Sequence, residues 1–224
     1  MVAAAFIKEE EAHSSEWTRA TVGLLRPDLS EDGLEPEQRV SYHNLSWERY
    51  LALDEALGDD RSGPRFYYLD GSLEIMTTSG NHEHIKKWIG SLLEIYLEEK
   101  TEFDVTTRGQ ATMRLAMKSA GAEPDDSWCF GEEKEFPDLV LEIALTSGGV
   151  RKLELYQRFG VPEVWFWRKG KLEVHALLPD GSGYEAVMQG SRLLPGLDTT
   201  LLERCVTIAN WREARLAFRA GLAK

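Results

Sequence analysis

The 224-residue chain has few cysteines and no long apolar run. Its two cysteines, Cys129 and Cys205, are too few for a disulfide framework and lack metal-ligand spacing. No stretch approaches the roughly 20 apolar residues that span a bilayer, and the first residues lack the basic start of a secretory signal. We therefore expect reduced thiols, no membrane segment and a cytoplasmic location.

The chain also lacks the basic surplus that nucleic-acid-binding domains usually carry. Lys and Arg total 26 against 38 Asp and Glu, which gives a net charge of −12. Because affinity for nucleic acid comes largely from cations that neutralise phosphates, this balance argues against tight, stable DNA binding. Hydrolysis is not excluded, since acidic residues clustered at a metal site themselves add negative charge.

Hydrophobic periodicity predicts one domain of mixed helices and strands, either α/β or α+β. Residues 1–37 show no sustained period and form a predicted N-terminal extension, 38–206 form the domain, and 207–224 contain a closing helix. The clearest helix carries an apolar stripe of Ile85, Trp88, Ile89, Leu92, Leu93 and Tyr96. Other predicted elements are a helix over 47–57 capped by Ser46, a hairpin of 65–69 and 72–76, strands near 103–107, 110–116, 123–130 and 137–145, a helix over 149–159, and later strands near 164–167, 171–177 and 184–188.

One predicted strand has an acid inside it. Side chains alternate across a strand, so Asp138, Val140, Glu142 and Ala144 share one face, and the other face is wholly apolar. A charge at Glu142 is costly unless it is paired or bound to a metal. Asp138 lies about 13 Å away along an extended strand, too far to share an ion, and more simply shapes the strand start. Asp125, expected on the neighbouring strand, is the natural partner.

A lysine follows these acids at the start of the next predicted helix. Two carboxylates and a lysine are the groups needed to hold a divalent metal against a phosphodiester and to activate a water. In the PD-(D/E)-x-K nuclease pattern, the lysine lies two positions after the second acid, where this chain has Ala144. Because a strand-to-helix turn can bring a helix start back beside the strand end, Lys152 could fill the vacated place and orient the attacking water.

A longer series of motifs resembles one known family. The series occupies 68–76 (YLDGSLEIM), 82–85 (HEHI), 121–125 (GAEPD), 137–143 (PDLVLEI), 152–156 (KLELY), 160–167 (GVPEVWFW) and 193–198 (LLPGLD). Over roughly residues 40–205 it is similar to the Uma-two family, whose members are described as restriction endonucleases and carry a PD-(D/E)-x-K nuclease-like fold. The resemblance implies a restriction-endonuclease-like core: a mixed β-sheet flanked by helices in a single domain.

The resemblance also implies roles for particular residues. Asp125 matches the first strand acid, Glu142 the second, Lys152 the displaced lysine, and His82 the histidine that opens the first long helix. It further implies Mg²⁺ or a similar ion such as Mn²⁺, and a phosphodiester substrate. We add the carbonyl of Ile143 to the expected metal ligands.

The membership of the site stays open at several positions. Glu74 or Glu83 could supply the additional acid near the first helix, and Glu123 could be an outer ligand or could support one. The scattered basic residues either line a phosphate-binding edge or form an ordinary solvated face; they are Lys86, Lys87, Arg108, Arg114 and Lys118. The aromatic run 165–167 is expected to be core on one face and an interface on the other.

The function that we expect is metal-dependent hydrolysis of DNA, by a homodimer because each strand of a duplex needs its own cut. One alternative is a non-catalytic binding or assembly protein that retains the nuclease fold. A second alternative is a hydrolase of RNA or of a small phosphoester, which better suits an acidic surface.

Overall fold

The computed structural model describes residues 37–58, 64–145 and 151–223. Of the predicted N-terminal extension, only Glu37 falls within this part of the chain. Residues 149 and 150, the predicted start of one helix, also lie outside the described residues.

Within the described residues, two sheets are flanked by five helices. The strands are β1 (Arg39–Tyr42), β2 (Arg65–Leu69), β3 (Ser72–Met76), β4 (Val105–Thr107), β5 (Met113–Leu115), β6 (Ala120–Ala122), β7 (Asp126–Phe130), β8 (Leu139–Ile143), β9 (Glu163–Arg168), β10 (Lys171–Leu177) and β11 (Tyr184–Val187). The helices are α1 (Trp47–Leu57), α2 (Gly80–Lys100), α3 (Lys152–Phe159), α4 (Thr199–Val206) and α5 (Trp211–Leu222). The predicted mixed α/β class in one domain is confirmed.

The larger sheet is mixed. Its strand order is β11-β10-β9-β8-β7-β4, and β8 and β9 form its parallel pair. Parallel neighbours need a crossover, which α3 provides. The smaller sheet, β1-β3-β2-β6-β5, is antiparallel and was not predicted as a separate sheet. The chain passes from the smaller sheet to the larger one through residues 123–125, at the point where the candidate acids begin.

The two faces of the larger sheet pack against different layers. Leu139, Leu141 and Ile143 face a core shared with α2, α4 and α5. Val140 lies on the opposite face, in a second core that includes Tyr67 of the smaller sheet and residues of α3. A third core lies between the far face of the smaller sheet and α1. Glu142, on the same face as Val140, therefore points between the two sheets.

Local signals account for most of the predicted elements. The Ser46 hydroxyl accepts a hydrogen bond from the Arg49 N–H at 3.3 Å and caps α1, as the sequence predicted. Positive φ angles at Asp70 and Gly71 form the predicted hairpin turn, and Gly160, with φ of 71°, ends α3. The prediction of an interface at residues 165–167 is wrong, because all three aromatic side chains are buried in the two cores.

In the described part of the chain, no helix is long and apolar enough to cross a bilayer.

Candidate active site

Antiparallel pairing brings the two predicted acids side by side. The β7–β8 register pairs Asp126 with Leu141, and continuing it places Asp125 opposite Glu142. Both carboxylates are fully buried. The Ile143 N–H donates to Asp125 Oδ2 at 2.7 Å, which ties the connection before β7 to the end of β8. Asp125 itself lies just outside β7, whose predicted start at 123 was too early.

Glu142 accepts hydrogen bonds from three side chains on two elements, β2 and α3. Lys152 Nζ, at the start of α3, lies 2.6 Å from Oε2, so the displaced lysine reaches the carboxylate. The Tyr67 hydroxyl of β2 donates to the same oxygen at 3.2 Å. The Tyr156 hydroxyl, one turn along α3 from Lys152, donates to Oε1. The Lys152 ammonium also lies 3.6 Å from the centre of the Tyr67 ring.

Asp125 has one oxygen engaged and one open. His82 Nε2 lies 3.0 Å from Asp125 Oδ2, and the His82 backbone is held by Ser79, which caps the start of α2. Asp125 Oδ1 is buried and has no hydrogen-bond partner among the described residues. Arg65 Nε lies 3.7 Å from Oδ1.

Burial and close charges shift the pKa values of this cluster in different directions. Burial raises the pKa of Glu142 to about 6, since it outweighs the charge and hydrogen bond of Lys152. Burial also acts to raise the pKa of Asp125, but the hydrogen bond and charge of His82, helped by Lys152, bring it below its usual value. For His82, burial is outweighed by the hydrogen bond and charge of Asp125, so the pKa of the imidazole is raised.

The three acids whose membership of the site the sequence left open have different partners in the structure. Glu83 contacts two neighbours of Asp125: its Oε1 is 3.5 Å from His82 Nδ1 and 3.7 Å from Arg65 NH2. Glu74 forms an ion pair with Arg39 at 3.6 Å. The Glu123 carboxylate instead accepts the Phe66 N–H at 3.0 Å and the Thr112 hydroxyl at 3.4 Å.

Most of the proposed basic edge has internal partners. Arg114 pairs with buried Asp54 at 2.6 Å on the side of α1. Arg108 donates to two backbone carbonyls in the β7–β8 connection, and Lys118 donates to a carbonyl at the end of α3. Lys86 faces the site, where its Nζ lies 2.5 Å from Glu83 Oε2, and Lys87 is exposed. Asp138 accepts from Lys134 and from the Phe130 N–H, so it closes the β7–β8 connection as expected for a residue that shapes the strand start.

Sequence reasoning missed four residues of this cluster. Arg65 and Tyr67 alternate along β2 and so share the face that covers the two acids. Tyr156 follows Lys152 at helical spacing, which was a usable signal. The side chain of Glu37, a residue assigned to the extension, is buried with Oε1 4.0 Å from His82 Nε2, and no local pattern marks it.

The cluster fits a hard divalent cation. Carboxylate oxygens are preferred ligands of Mg²⁺, and the buried Oδ1 of Asp125 is an acceptor that receives no hydrogen bond from the part of the chain that the structure describes. A carboxylate offers about four lone-pair positions, so the three donors at Glu142 leave it able to bind. The N–H and C=O of one strand residue point to the same neighbouring strand, so the Ile143 carbonyl faces the side of Asp125. The described residues contain no group of three or more Asp, Glu, His or Cys arranged around one point, which leaves backbone and water oxygens to complete a shell.

A mixed sheet with adjacent carboxylates and a lysine is typical of nuclease-like proteins. The sequence model of the family described as "Uma2: Putative restriction endonuclease" matches residues 47–212, and the chain belongs to this family. Among solved structures, a protein from Anabaena variabilis ATCC 29413, described as "a putative nuclease belonging to DUF820", is similar to it at 14% identity and a TM-score of 0.46, covering 74% of this chain and 97% of that chain. No curated protein matches the chain.

Proposed function

We propose that this protein is a metal-dependent endonuclease that hydrolyses DNA phosphodiester bonds. One observation carries the proposal: two buried carboxylates, Asp125 and Glu142, lie on adjacent strand ends with Lys152 2.6 Å from the second. Structural acids of a core have no need of a second carboxylate beside them, whereas a divalent cation does. Membership of a family described as restriction endonucleases supports the substrate class.

In this mechanism each side chain has a separate task. A Mg²⁺ or Mn²⁺ ion held by Asp125, Glu142 and the Ile143 carbonyl would bind a phosphate oxygen and activate a water. Lys152 orients the attacking oxygen and stabilises the negative charge that develops on the phosphorane. His82 acts on Asp125 from the other side: its bond to Oδ2 fixes the carboxylate and leaves Oδ1 directed to the ligand.

The proposal includes a homodimer, because two cuts are needed to sever a duplex, and a cytoplasmic location.

The net charge of −12 implies that DNA is held briefly and mainly at the reacting phosphate. Arg65 supports that contact, because it is a largely buried cation beside Asp125, and within residues 37–58, 64–145 and 151–223 its Nε has no hydrogen-bond partner.

A second candidate is a hydrolase of RNA or of a small phosphoester. The observation that favours it is the loss of the proposed basic edge, since Arg108, Arg114 and Lys118 are bound to internal partners. An acidic protein without such an edge is better suited to a substrate with few phosphates.

Calorimetric titration of Mg²⁺ and Mn²⁺, together with plasmid nicking, tests the proposal in the wild type, Asp125→Asn and Asp138→Asn. Asp138 is a matched control, because it is also a buried acid of the larger sheet but is held by Lys134 and a backbone N–H. We expect both metal binding and nicking to disappear in Asp125→Asn and to persist in Asp138→Asn.

The other outcomes are equally informative. Metal binding without nicking in the wild type contradicts DNA hydrolysis and directs the search to RNA and small phosphoesters. No metal binding in the wild type contradicts the metal-dependent mechanism and supports a non-catalytic protein that retains the fold.

A further inference from the structure

The candidate lysine comes from a helix rather than from the strand that carries the second acid. Its ammonium is borne on a flexible four-carbon stem, so the reach from α3 to Glu142 does not by itself fix its position. The side chain of Ala144, at the position where the nuclease pattern has its lysine, offers no polar atom to guide the ammonium. Some other group must hold the ammonium in place.

We propose that Tyr67 is a positioning residue that clamps the Lys152 ammonium onto Glu142; its meaning for catalysis rests on the proposed function. Tyr67 contacts both members of the ion pair. Its ring face lies 3.6 Å from Lys152 Nζ, and its hydroxyl donates to Glu142 Oε2 at 3.2 Å. Oε2 is also the oxygen that accepts Lys152 at 2.6 Å. The ring, the carboxylate and the ammonium thus form a closed three-way contact.

The surroundings make this contact stronger than it would be at a surface. Tyr67 and Glu142 are fully buried, and the Lys152 side chain is 15% exposed. An ammonium over an aromatic face gains most when water is excluded. Burial, followed by the charge of Glu142, raises the pKa of Tyr67 well above its usual value, so the phenol remains a neutral donor.

Tyr67 is also held more rigidly than the lysine. It lies in the middle of β2, which is paired on both sides: Tyr67 is opposite Glu74 of β3 and Ala122 of β6. By contrast, Tyr156 binds the other oxygen of Glu142 from α3, the same helix that carries Lys152, so it ties α3 to β8 but brings in no contact from the smaller sheet. Tyr67 therefore positions the Lys152 ammonium from the smaller sheet, independently of α3.

The clamp is measured by the rate at which Lys152 is acetylated in metal-free, substrate-free protein, followed by mass spectrometry. Exposed Lys87 serves as the internal reference. Tyr67→Phe keeps the ring and loses only the hydroxyl, so Lys152 labelling should stay within about threefold of the wild type. Tyr67→Leu removes the ring, and labelling of Lys152 should rise about tenfold while Lys87 is unchanged.

A neighbouring tyrosine supplies the matched control. Tyr68 is buried on the opposite face of β2 and donates to the Leu45 carbonyl, so Tyr68→Phe should leave Lys152 labelling unchanged. If Tyr67→Leu does not fold, Tyr67→Met replaces it with an unbranched side chain. Two results would overturn the clamp: unchanged Lys152 labelling in a folded Leu or Met variant, or a Phe variant that releases Lys152 beyond threefold.

Turnover adds a second readout. With a nicked plasmid as product, Tyr67→Leu should lower kcat at least tenfold with KM changed by less than about threefold, and Tyr67→Phe should recover most of kcat. Because acetylation needs neither metal nor substrate, a protein without nuclease activity can still show the clamp. Failure of the clamp and failure of the proposed function are therefore separate results.

Discussion

Two buried glutamates on neighbouring strands of the larger sheet have opposite surroundings. Glu163 at the start of β9 and Glu142 near the end of β8 are both fully buried. Among the residues that the structure describes, Glu163 accepts only from neutral donors: the Trp165 indole and the Ser191 hydroxyl at 2.6 Å each, and the N–H groups of Arg192 and Leu193 at 2.8 and 3.4 Å. Glu142 instead faces Lys152, two phenols and a second carboxylate.

The difference between these two surroundings shows that burial of an acid alone is a poor indicator of a ligand-binding or catalytic site. The donors around Glu163 satisfy both of its oxygens and tie the segment before α4 to the sheet, which is a structural task. The Glu142 cluster contains a buried oxygen, Asp125 Oδ1, that accepts no hydrogen bond from any described residue, and two carboxylates that the β7–β8 register places side by side. An incomplete polar cluster, rather than a buried charge alone, is the signal for a ligand.

The largest expected effect separates the two glutamates by activity. Under the proposed mechanism, Glu142→Gln removes a metal ligand and should lower plasmid nicking at least about a thousandfold, because the metal contributes several kcal/mol of charge stabilisation. Glu163→Gln should retain nicking within about threefold when assayed below its unfolding temperature. Equal losses in the two variants would mean that the comparison between them is wrong.

The stability of the same two variants should show the reverse order. Glu163→Gln places an amide NH₂ against donors and leaves at least one of them buried and unpaired, at a cost of about 3 kcal/mol in the free energy of unfolding. Glu142→Gln removes a buried charge and keeps an acceptor for Tyr67 and Lys152, so it should cost less. Urea unfolding measures both, and a smaller loss for Glu163→Gln than for Glu142→Gln would contradict this account.

The parts of the site that depend on residues close together in the chain could be predicted from the sequence, and the parts that depend on contacts between distant segments could not. The position of Glu142 was visible from strand alternation, and Lys152 from the helix that follows, because both signals are local. The sequence could not show that β2 belongs to a second sheet lying over the first, so Arg65 and Tyr67 were missed. Whether Glu83 or Glu123 faces Asp125 depends on the direction of the chain as it passes between sheets, which no periodic pattern encodes. Short elements such as β6 and α4 were missed because few residues carry their pattern.

A further comparison concerns two consecutive acids on opposite faces of the larger sheet. Asp126 lies against α2, where its Oδ2 approaches the backbone at Gly90. Burial raises the pKa of Asp126 to about 6, although the Ser127 N–H and Lys86 act to lower it. Since the folded protein then binds more protons than the unfolded chain between about pH 4 and 6, the contribution of Asp126 to stability is present below pH 4 and is lost as the pH rises through 6.

Asp126→Asn should remove this dependence. The free energy of unfolding of the variant, relative to the wild type, should rise by about 2 kcal/mol between pH 4 and pH 7, after allowance for partial exposure. Exposed Asp104→Asn is the control and should show no such trend. Urea unfolding at four pH values tests this, and parallel curves for Asp126→Asn and the wild type would contradict it.

The smallest effect concerns the affinity of the proposed metal. Because burial raises the pKa of Glu142 to about 6, its carboxyl is largely protonated below that pH and must lose its proton before it can bind a cation. The Kd for Mg²⁺ should therefore be nearly constant between pH 7 and 8 and should rise about tenfold as the pH falls from 7 to 5. Calorimetric titration at these pH values, with Glu163→Gln as the control that should follow the wild type, measures the trend. A Kd that is independent of pH across this range would show that Glu142 is already ionised in the metal-free protein, and that Lys152 and the two phenols outweigh its burial.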